Sequence, residues 1–189
     1  MESITIRDVT EADAERLSEI YKYYVDETAI SFEYEAPSPD EFAGRIKEIK
    51  KHFPYICAEV DGRTVGYAYA SKFHPREAYK HCAEMSIYID KDERKSGLGR
   101  KLYEELENRL KEMGIINLYA CIAYPVDPSI PDEHLDTNSP DFHKHMGYAL
   151  NGEFHKCGYK FGKWYNMIWM EKFIAPHKGH RGTGLGVHF

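Results

Sequence analysis

Arg94-Lys95-Ser96-Gly97-Leu98-Gly99-Arg100 carries two glycines two residues apart. It follows a strand-like run, Glu84-Met85-Ser86-Ile87-Tyr88-Ile89, and opens a helix-like run that reaches Met113. Such a turn exposes several backbone N–H groups at the positive end of the helix dipole, so it can cradle an anion such as a phosphate. Glycine lets the anion approach the backbone. A helix-opening turn without a ligand uses the same glycines, so spacing alone decides nothing. The C-terminal tail makes the point: Arg181-Gly182-Thr183-Gly184-Leu185-Gly186 repeats the Arg-x-x-Gly-x-Gly spacing with no strand before it and no room for a helix after it. A dinucleotide-binding turn would need a third glycine where Leu102 stands, and a P-loop would need a following Gly-Lys-Ser/Thr. The succession of strand, turn and helix carries the information.

The elements around this turn can be read from periodicity and punctuation. Residues 4–7 alternate as a short strand. Thr10-Glu11-Ala12-Asp13 resembles a capping box and opens a helix to about Asp26, with Ala14, Leu17, Ile20, Tyr21, Tyr24 and Val25 on its apolar face. Ser38-Pro39-Asp40-Glu41 starts a second helix that runs to about Lys50. Tyr55–Val60 and residues 64–70 form a hairpin about Asp61-Gly62. Residues 83–89 are the next strand. Leu98, Leu102, Leu106 and Leu110 make the core stripe of the next helix, which Gly114 ends. Asn117–Tyr124 is a strand, residues 125–138 a proline-rich loop, and residues 139–146 a short helix ended by Gly147. Residues 148–154 and 164–173 read as two antiparallel strands joined by a Gly-rich connection (Gly158, Gly162). This order predicts an α/β chain of the α+β type: a mixed, mostly antiparallel sheet of about seven strands flanked by helices. One domain over residues 1–174 is expected, followed by a flexible Gly- and His-rich tail over residues 175–189.

Composition narrows the class. A net charge of −6 over 189 residues argues against a nucleic-acid partner. No apolar run approaches the roughly 20 residues of a membrane span. The start, Met1-Glu2-Ser3, has no secretory leader pattern. Cys57, Cys82, Cys121 and Cys157 show no CxxC spacing, so free thiols in a cytoplasmic protein without a metal are expected.

The turn and its strand resemble the acetyl-CoA signature of the GNAT N-acetyltransferases. Residues 28–33 (Thr-Ala-Ile-Ser-Phe-Glu), 76–79 (Arg-Glu-Ala-Tyr), 142–148 (Phe-His-Lys-His-Met-Gly-Tyr) and 158–164 (Gly-Tyr-Lys-Phe-Gly-Lys-Trp) look like the phosphinothricin acetyltransferase branch. The likeness covers about residues 3–173. It implies that Arg94, Lys95, Ser96, Gly97, Leu98, Gly99 and Arg100 hold the pyrophosphate of acetyl-CoA. It implies a bulged strand whose Ile87, Tyr88 and Ile89 run along the pantetheine arm, with N–H groups near Tyr88 facing the oxyanion. The implied partners are acetyl-CoA and a small amine, in a homodimer.

Glu84 stands where that branch has its proposed base; burial can raise a carboxylate's pKa toward neutrality so that it accepts an amine proton. An ordinary edge-strand acid is the competing reading. His143 stands where many relatives carry a tyrosine that protonates the leaving thiolate, and an imidazole can donate a proton near neutral pH. Tyr124 and Tyr148 are weaker choices for that duty. Phe32, Glu33, Arg76 and Tyr79 are the acceptor-side residues the resemblance implies, with the arginine able to clamp a carboxylate or phosphinate. The pattern departs at Asp136, where the family usually has an Asn near the pantetheine; Asn138 is the expected substitute, and Ser139 matches. The acids Asp127, Asp132, Glu133 and Asp136 would favour a cationic acceptor. The expected reaction is direct acetyl transfer to an amino acid or an analogue such as phosphinothricin or methionine sulfoximine. Alternatives are a non-catalytic acyl-CoA sensor, or an enzyme for polyamines, aminoglycosides or protein N-termini.

Overall fold

The computed structural model describes residues 4–93 and 97–178. Arg94, Lys95 and Ser96 of the signature turn, and the tail from Gly179 onward, lie outside the described residues. Strands β1 (Ile4–Asp8), β2 (Tyr55–Val60), β3 (Arg63–Lys72), β4 (Cys82–Ile89), β5 (Asn117–Tyr124), β6 (Ala149–Lys160) and β7 (Lys163–Phe173) form one sheet in the order β1-β2-β3-β4-β5-β7-β6. Every neighbouring pair is antiparallel except β4–β5. The expected mixed, mostly antiparallel seven-stranded sheet is the one observed.

Alternation along the strands sorts two cores. On one face Tyr67 of β3 packs with α1 (Ala14–Asp26) and α2 (Pro39–Lys50), which contribute Leu17, Ile20, Tyr21, Tyr24, Phe42 and Ile46. On the other, Ala68, Ala70, Ala83 and Ala120 receive the leucine stripe of α3 (Leu98–Glu112), all four leucines being buried. Small strand residues there let a helix of large ones seat closely. A fourth helix, α4 (Asn138–His145), lays Phe142 against this second core.

The caps behave as their residue types require. Ser38 accepts from the Glu41 N–H at 3.3 Å, and the Glu41 carboxylate accepts from the Ser38 N–H at 2.8 Å. The Asp13 carboxylate accepts from the Thr10 N–H at 2.7 Å, but the chain makes a short 3-10 turn over Glu11–Asp13 before α1 begins. The β2–β3 turn has both central residues at positive φ, Asp61 at 49° and Gly62 at 80°.

The last hairpin departs from expectation. β6 does not end at Phe154 but continues to Lys160, with register shifts between Leu150 and Gly152 and between Phe154 and Gly158. The turn is the Phe161-Gly162 pair alone, and Gly158 lies inside the strand. Bulges break two-residue alternation, so the irregular stretch reads from sequence as a connection. The start of the tail is also docked: Ile174 N–H donates to Ile116 O at 2.9 Å, and His177 Nε2 lies 2.7 Å from Asn117 Oδ1.

Candidate active site

β4 and β5 pair only over Cys82, Ala83 and Glu84 with Asn117, Leu118 and Tyr119. Beyond that point β4 stays with β3 and β5 stays with β7, each over its full remaining length, so the two strands splay into a wedge. A cavity of about 60 Å³ lies in the wedge, lined by Met85 to Tyr88 of β4, Ala120 to Ala123 of β5, Ile30, Tyr103, Ser139 and His143. Among the described residues no group of histidine, cysteine or acidic side chains is arranged to hold a metal ion, and no helix is long and apolar enough to cross a membrane.

Antiparallel pairing decides which backbone groups face the wedge. Asp90 N–H donates to Val65 O at 2.8 Å, so by alternation Tyr88 and Ser86 turn their groups to β3, while Ile87 and Ile89 turn theirs away from it. Ile89 is already engaged: its N–H donates to the Tyr24 hydroxyl at 3.1 Å, and its carbonyl accepts from that hydroxyl at 2.5 Å. The Tyr88 ring is packed edge-on to Tyr21 and Tyr24, with centroids 4.9 and 5.0 Å away. Of the three residues expected along the wedge, Ile87 is the one whose backbone groups are turned there and not taken by Tyr24. The β3–β4 register runs without a shift from Gly66 to Lys72, so the opening comes from β5 leaving β4 and not from a bulge against β3.

The α3 N-terminus closes one side. Gly97 has φ of 80°, a left-handed conformation that side chains disfavour. A Cβ on Gly99 would sit 3.1 Å from the Phe142 ring and 3.7 Å from Ile87, so this glycine lets the first turn of α3 approach both α4 and β4. Leu98 points into the core and Arg100 outward, 3.7 Å from Glu104.

Glu84 is half-buried, between Ser71 of β3 and Tyr119 of β5 in register. It lies two residues before Ser86, about 7 Å along the strand, and so just beyond the cavity wall. Burial pushes its carboxyl pKa upward, partly opposed by His74. Its carboxylate makes no hydrogen bond among the described residues. The Cys121 thiol is raised to about 12, by burial first and then by the charge of Glu84.

His143 is 3% exposed. Its Nδ1 lies 2.8 Å from the Ser139 carbonyl, which can only accept, so Nδ1 carries the proton. Its Nε2, 2.9 Å from the Tyr103 hydroxyl, is therefore the acceptor and Tyr103 the donor. Burial lowers the imidazole pKa to about 4, the Ser139 contact opposing. The ring is neutral at pH 7 and holds no transferable imidazolium proton. Tyr103 is not legible as a site residue in the sequence because it sits beside the leucine stripe and reads as core; nothing in the spacing pairs it with His143, 40 residues away.

The remaining expectations scatter. Asn138 gives its side-chain amide and its N–H to Asp136. The Phe32 ring rests on Gly158, where a Cβ would come within 2.4 Å of it. Glu33 receives a two-pronged contact from Arg45 at 2.7 and 2.9 Å and the Tyr21 hydroxyl at 2.8 Å; Arg45 chiefly holds its pKa down. Tyr79 packs near Phe73 and His74, in a ring cluster that includes Tyr119 and Trp169. The Arg76 guanidinium is exposed and has no partner among the described residues. The loop acids are engaged: Asp127 caps Ser129, Asp132 meets Lys163 at 3.1 Å, and Glu133 lies 3.9 Å from the same lysine.

Comparison with known proteins agrees with this architecture. The family model described as an acetyltransferase (GNAT) domain matches residues 6–169. The chain is 29% identical to a phosphinothricin N-acetyltransferase of Streptomyces viridochromogenes, over 92% of this chain and 90% of that one. It is 27% identical to an L-methionine sulfoximine/L-methionine sulfone acetyltransferase of Pseudomonas aeruginosa, over 92% and 96%. A phosphinothricin acetyltransferase of Sinorhizobium meliloti, solved in complex with acetyl-CoA, superposes with a TM-score of 0.80 at 32% identity, over 90% of this chain and 88% of that one. With a splayed β4–β5 wedge, a glycine-opened helix beside it and a family match across nearly all seven strands, the chain belongs to the GNAT family of acetyl-CoA-dependent N-acetyltransferases.

Proposed function

We propose that the protein transfers the acetyl group of acetyl-CoA to the primary amine of an amino acid or close analogue, such as phosphinothricin or methionine sulfoximine, by direct attack in a ternary complex. The observation that carries this reading is the wedge: at its closed end a half-buried Glu84 with no hydrogen bond among the described residues, and backbone groups of Ile87 turned toward it. The pyrophosphate of acetyl-CoA binds at the turn formed by Arg94, Lys95, Ser96, Gly97, Leu98, Gly99 and Arg100, and the pantetheine arm runs along Ile87. Glu84 takes a proton from the incoming ammonium. The free amine attacks the thioester carbon, and the Ile87 N–H faces the developing oxyanion. Glu84 passes that first proton to solvent and takes the second from nitrogen as the C–S bond breaks, while the sulfur gains one proton, so one proton is released overall.

The Tyr103 hydroxyl borders the cavity and is the donor for the departing thiolate: its one hydrogen, which rests on His143 Nε2, turns to the sulfur as the C–S bond breaks, and the hydroxyl is reprotonated from solvent. His143 acts through it, its Nε2 fixing the hydroxyl beside the cavity. On the acceptor side, Arg76 has no partner among the described residues, and its guanidinium suits a carboxylate or phosphinate. Because Asp132 and Glu133 are engaged by Lys163, and Asp136 by Asn138, the loop offers little support for a polycationic acceptor. A thiol-release screen over amino acids, phosphinothricin, methionine sulfoximine and polyamines tests the reading. Turnover is expected with the amino-acid group; selective turnover of polyamines would sink the acceptor assignment.

A further inference from the structure

Three segments distant in sequence meet where the wedge is widest. Ala29, Ala123, Leu135 and Tyr165 form a small buried cluster with Ile30 and Phe32 against it. Ala29 N–H donates to His134 O at 2.9 Å, His134 Nδ1 lies 3.0 Å from Glu27 O, and the His134 ring stacks on Phe161 at 3.8 Å. The loop that leaves α1 is thus held between the residue 125–137 loop and the tip of the β6–β7 hairpin.

The strongest tie is a lysine. Lys160, the last residue of β6, is 3% exposed. Its ammonium donates to Val25 O at 2.6 Å, Thr28 O at 2.9 Å and Ser31 O at 2.7 Å. An ammonium has three hydrogens and all three are used, so nothing remains for a ligand. A neutral amine could satisfy only two of the carbonyls. A planar guanidinium cannot converge on three carbonyls as a tetrahedral ammonium does. Two residues earlier on the same strand, Gly158 sets the Phe32 ring, since a Cβ there would overlap it.

We infer that Lys160 is a positioning residue for the acceptor: by gathering the carbonyls of residues 25, 28 and 31 it fixes where Ile30 and Phe32 stand at the mouth of the wedge. This rests on the proposed acetyl transfer and on the acceptor-side place that the family resemblance implies for Phe32. β6 therefore acts on the acceptor side on two levels, backbone through Lys160 and ring through Gly158, and neither residue lines the wedge cavity.

The test uses the full chain with Lys160→Met, Lys160→Arg and Gly158→Ala. Steady-state rates are measured with L-methionine sulfoximine at saturating acetyl-CoA, acetyl-CoA affinity by calorimetry, and amide exchange over residues 28–33. Lys160→Met and Gly158→Ala are expected to raise the acceptor KM at least tenfold, with kcat and acetyl-CoA affinity within threefold of the parent. Arginine should not rescue. Exchange at residues 28–33 should quicken in Lys160→Met and stay slow in Gly158→Ala. A lowered Tm with an unmoved acceptor KM would make Lys160 a purely structural clamp and overturn the inference, as would parallel loss of acetyl-CoA affinity. Should Lys160→Met fail to fold, Gly158→Ala decides, and an unchanged KM there refutes the account. If the parent turns over no amino-acid acceptor, the proposed acceptor class fails, and the same KM ratios on the amine it does accept decide the role of Lys160.

Discussion

A carboxylate near the start of a strand is common; what distinguishes Glu84 is its burial with no hydrogen-bond partner among the described residues, which packing decides. Its raised pKa means that the folded state holds the proton more tightly than the unfolded chain, so ionisation costs stability as pH rises past the ordinary glutamate range. Glu84→Gln is therefore expected to raise Tm at neutral pH while lowering kcat by about 10²–10⁴-fold. Acetyl-CoA affinity should be unchanged; thermal melts, kinetics and calorimetry on one preparation check all three. The acid limb of kcat/KM should lie above the ordinary carboxylate pKa. His143 shows the opposite sign. Its folded pKa of about 4 lies below the unfolded value of 6.5, so the unfolded chain binds the extra proton first. Stability should fall by up to about 3 kcal/mol as pH drops from 6.5 to 4, with no further loss from this group below that. Urea titrations of parent and His143→Phe across that range should show the slope flatten in the variant. Tyr103→Phe should lower kcat at least tenfold and cost about 1–3 kcal/mol, because the buried His143 Nε2 loses its donor; kcat within twofold of the parent would remove Tyr103 from the chemistry.

At the level of elements, the glycines of the α3 turn separate into two physical roles. Gly97 is required by its backbone angle, with open space around it, whereas Gly99 is required by what it touches. Gly97→Glu is expected to weaken acetyl-CoA binding at least tenfold, since it adds a negative charge beside the proposed pyrophosphate site, and to cost about 1–2 kcal/mol for a side chain in the left-handed region. Calorimetry and denaturant titration separate the two effects. α1, α2 and α3 were readable within a few residues because their caps and apolar stripes are local signals. The full length of β6 is hidden in the sequence because two register shifts interrupt its alternation.

The whole molecule is two sheet halves, β1–β4 and β5–β7, joined along the sheet by three register pairs. A ligand lying in the wedge contacts both halves, so its binding should stabilise the fold as a unit. At a hundred times its dissociation constant, acetyl-CoA is expected to add about 2.7 kcal/mol, read as a rise in Tm of about 5–10 °C. A Tm that does not move would contradict occupation of the wedge. Arg76 adds a prediction at the same scale, because it lies on the β3–β4 connection and Phe32 on the loop between α1 and α2. Arg76→Ala should raise the KM for methionine sulfoximine about tenfold or more and leave that for a carboxylate-free amine unchanged; equal effects on both would show that it does not read the carboxylate.

Local pattern alone carried the α+β class, the strand–turn–helix signature and Glu84 at the head of its strand, because periodicity, caps and glycine act within a few residues. The tertiary structure decided the rest. It left Ile87, rather than Tyr88 or Ile89, with backbone groups turned to the wedge and not taken by Tyr24. It made His143 a neutral acceptor beneath Tyr103, tied Glu33 to Arg45, and placed Lys160 under the loop that leaves α1. Each of these depends on which side of a strand a group faces and which distant partner reaches it first. Residue types and spacings do not contain that information until the sheet has set its register.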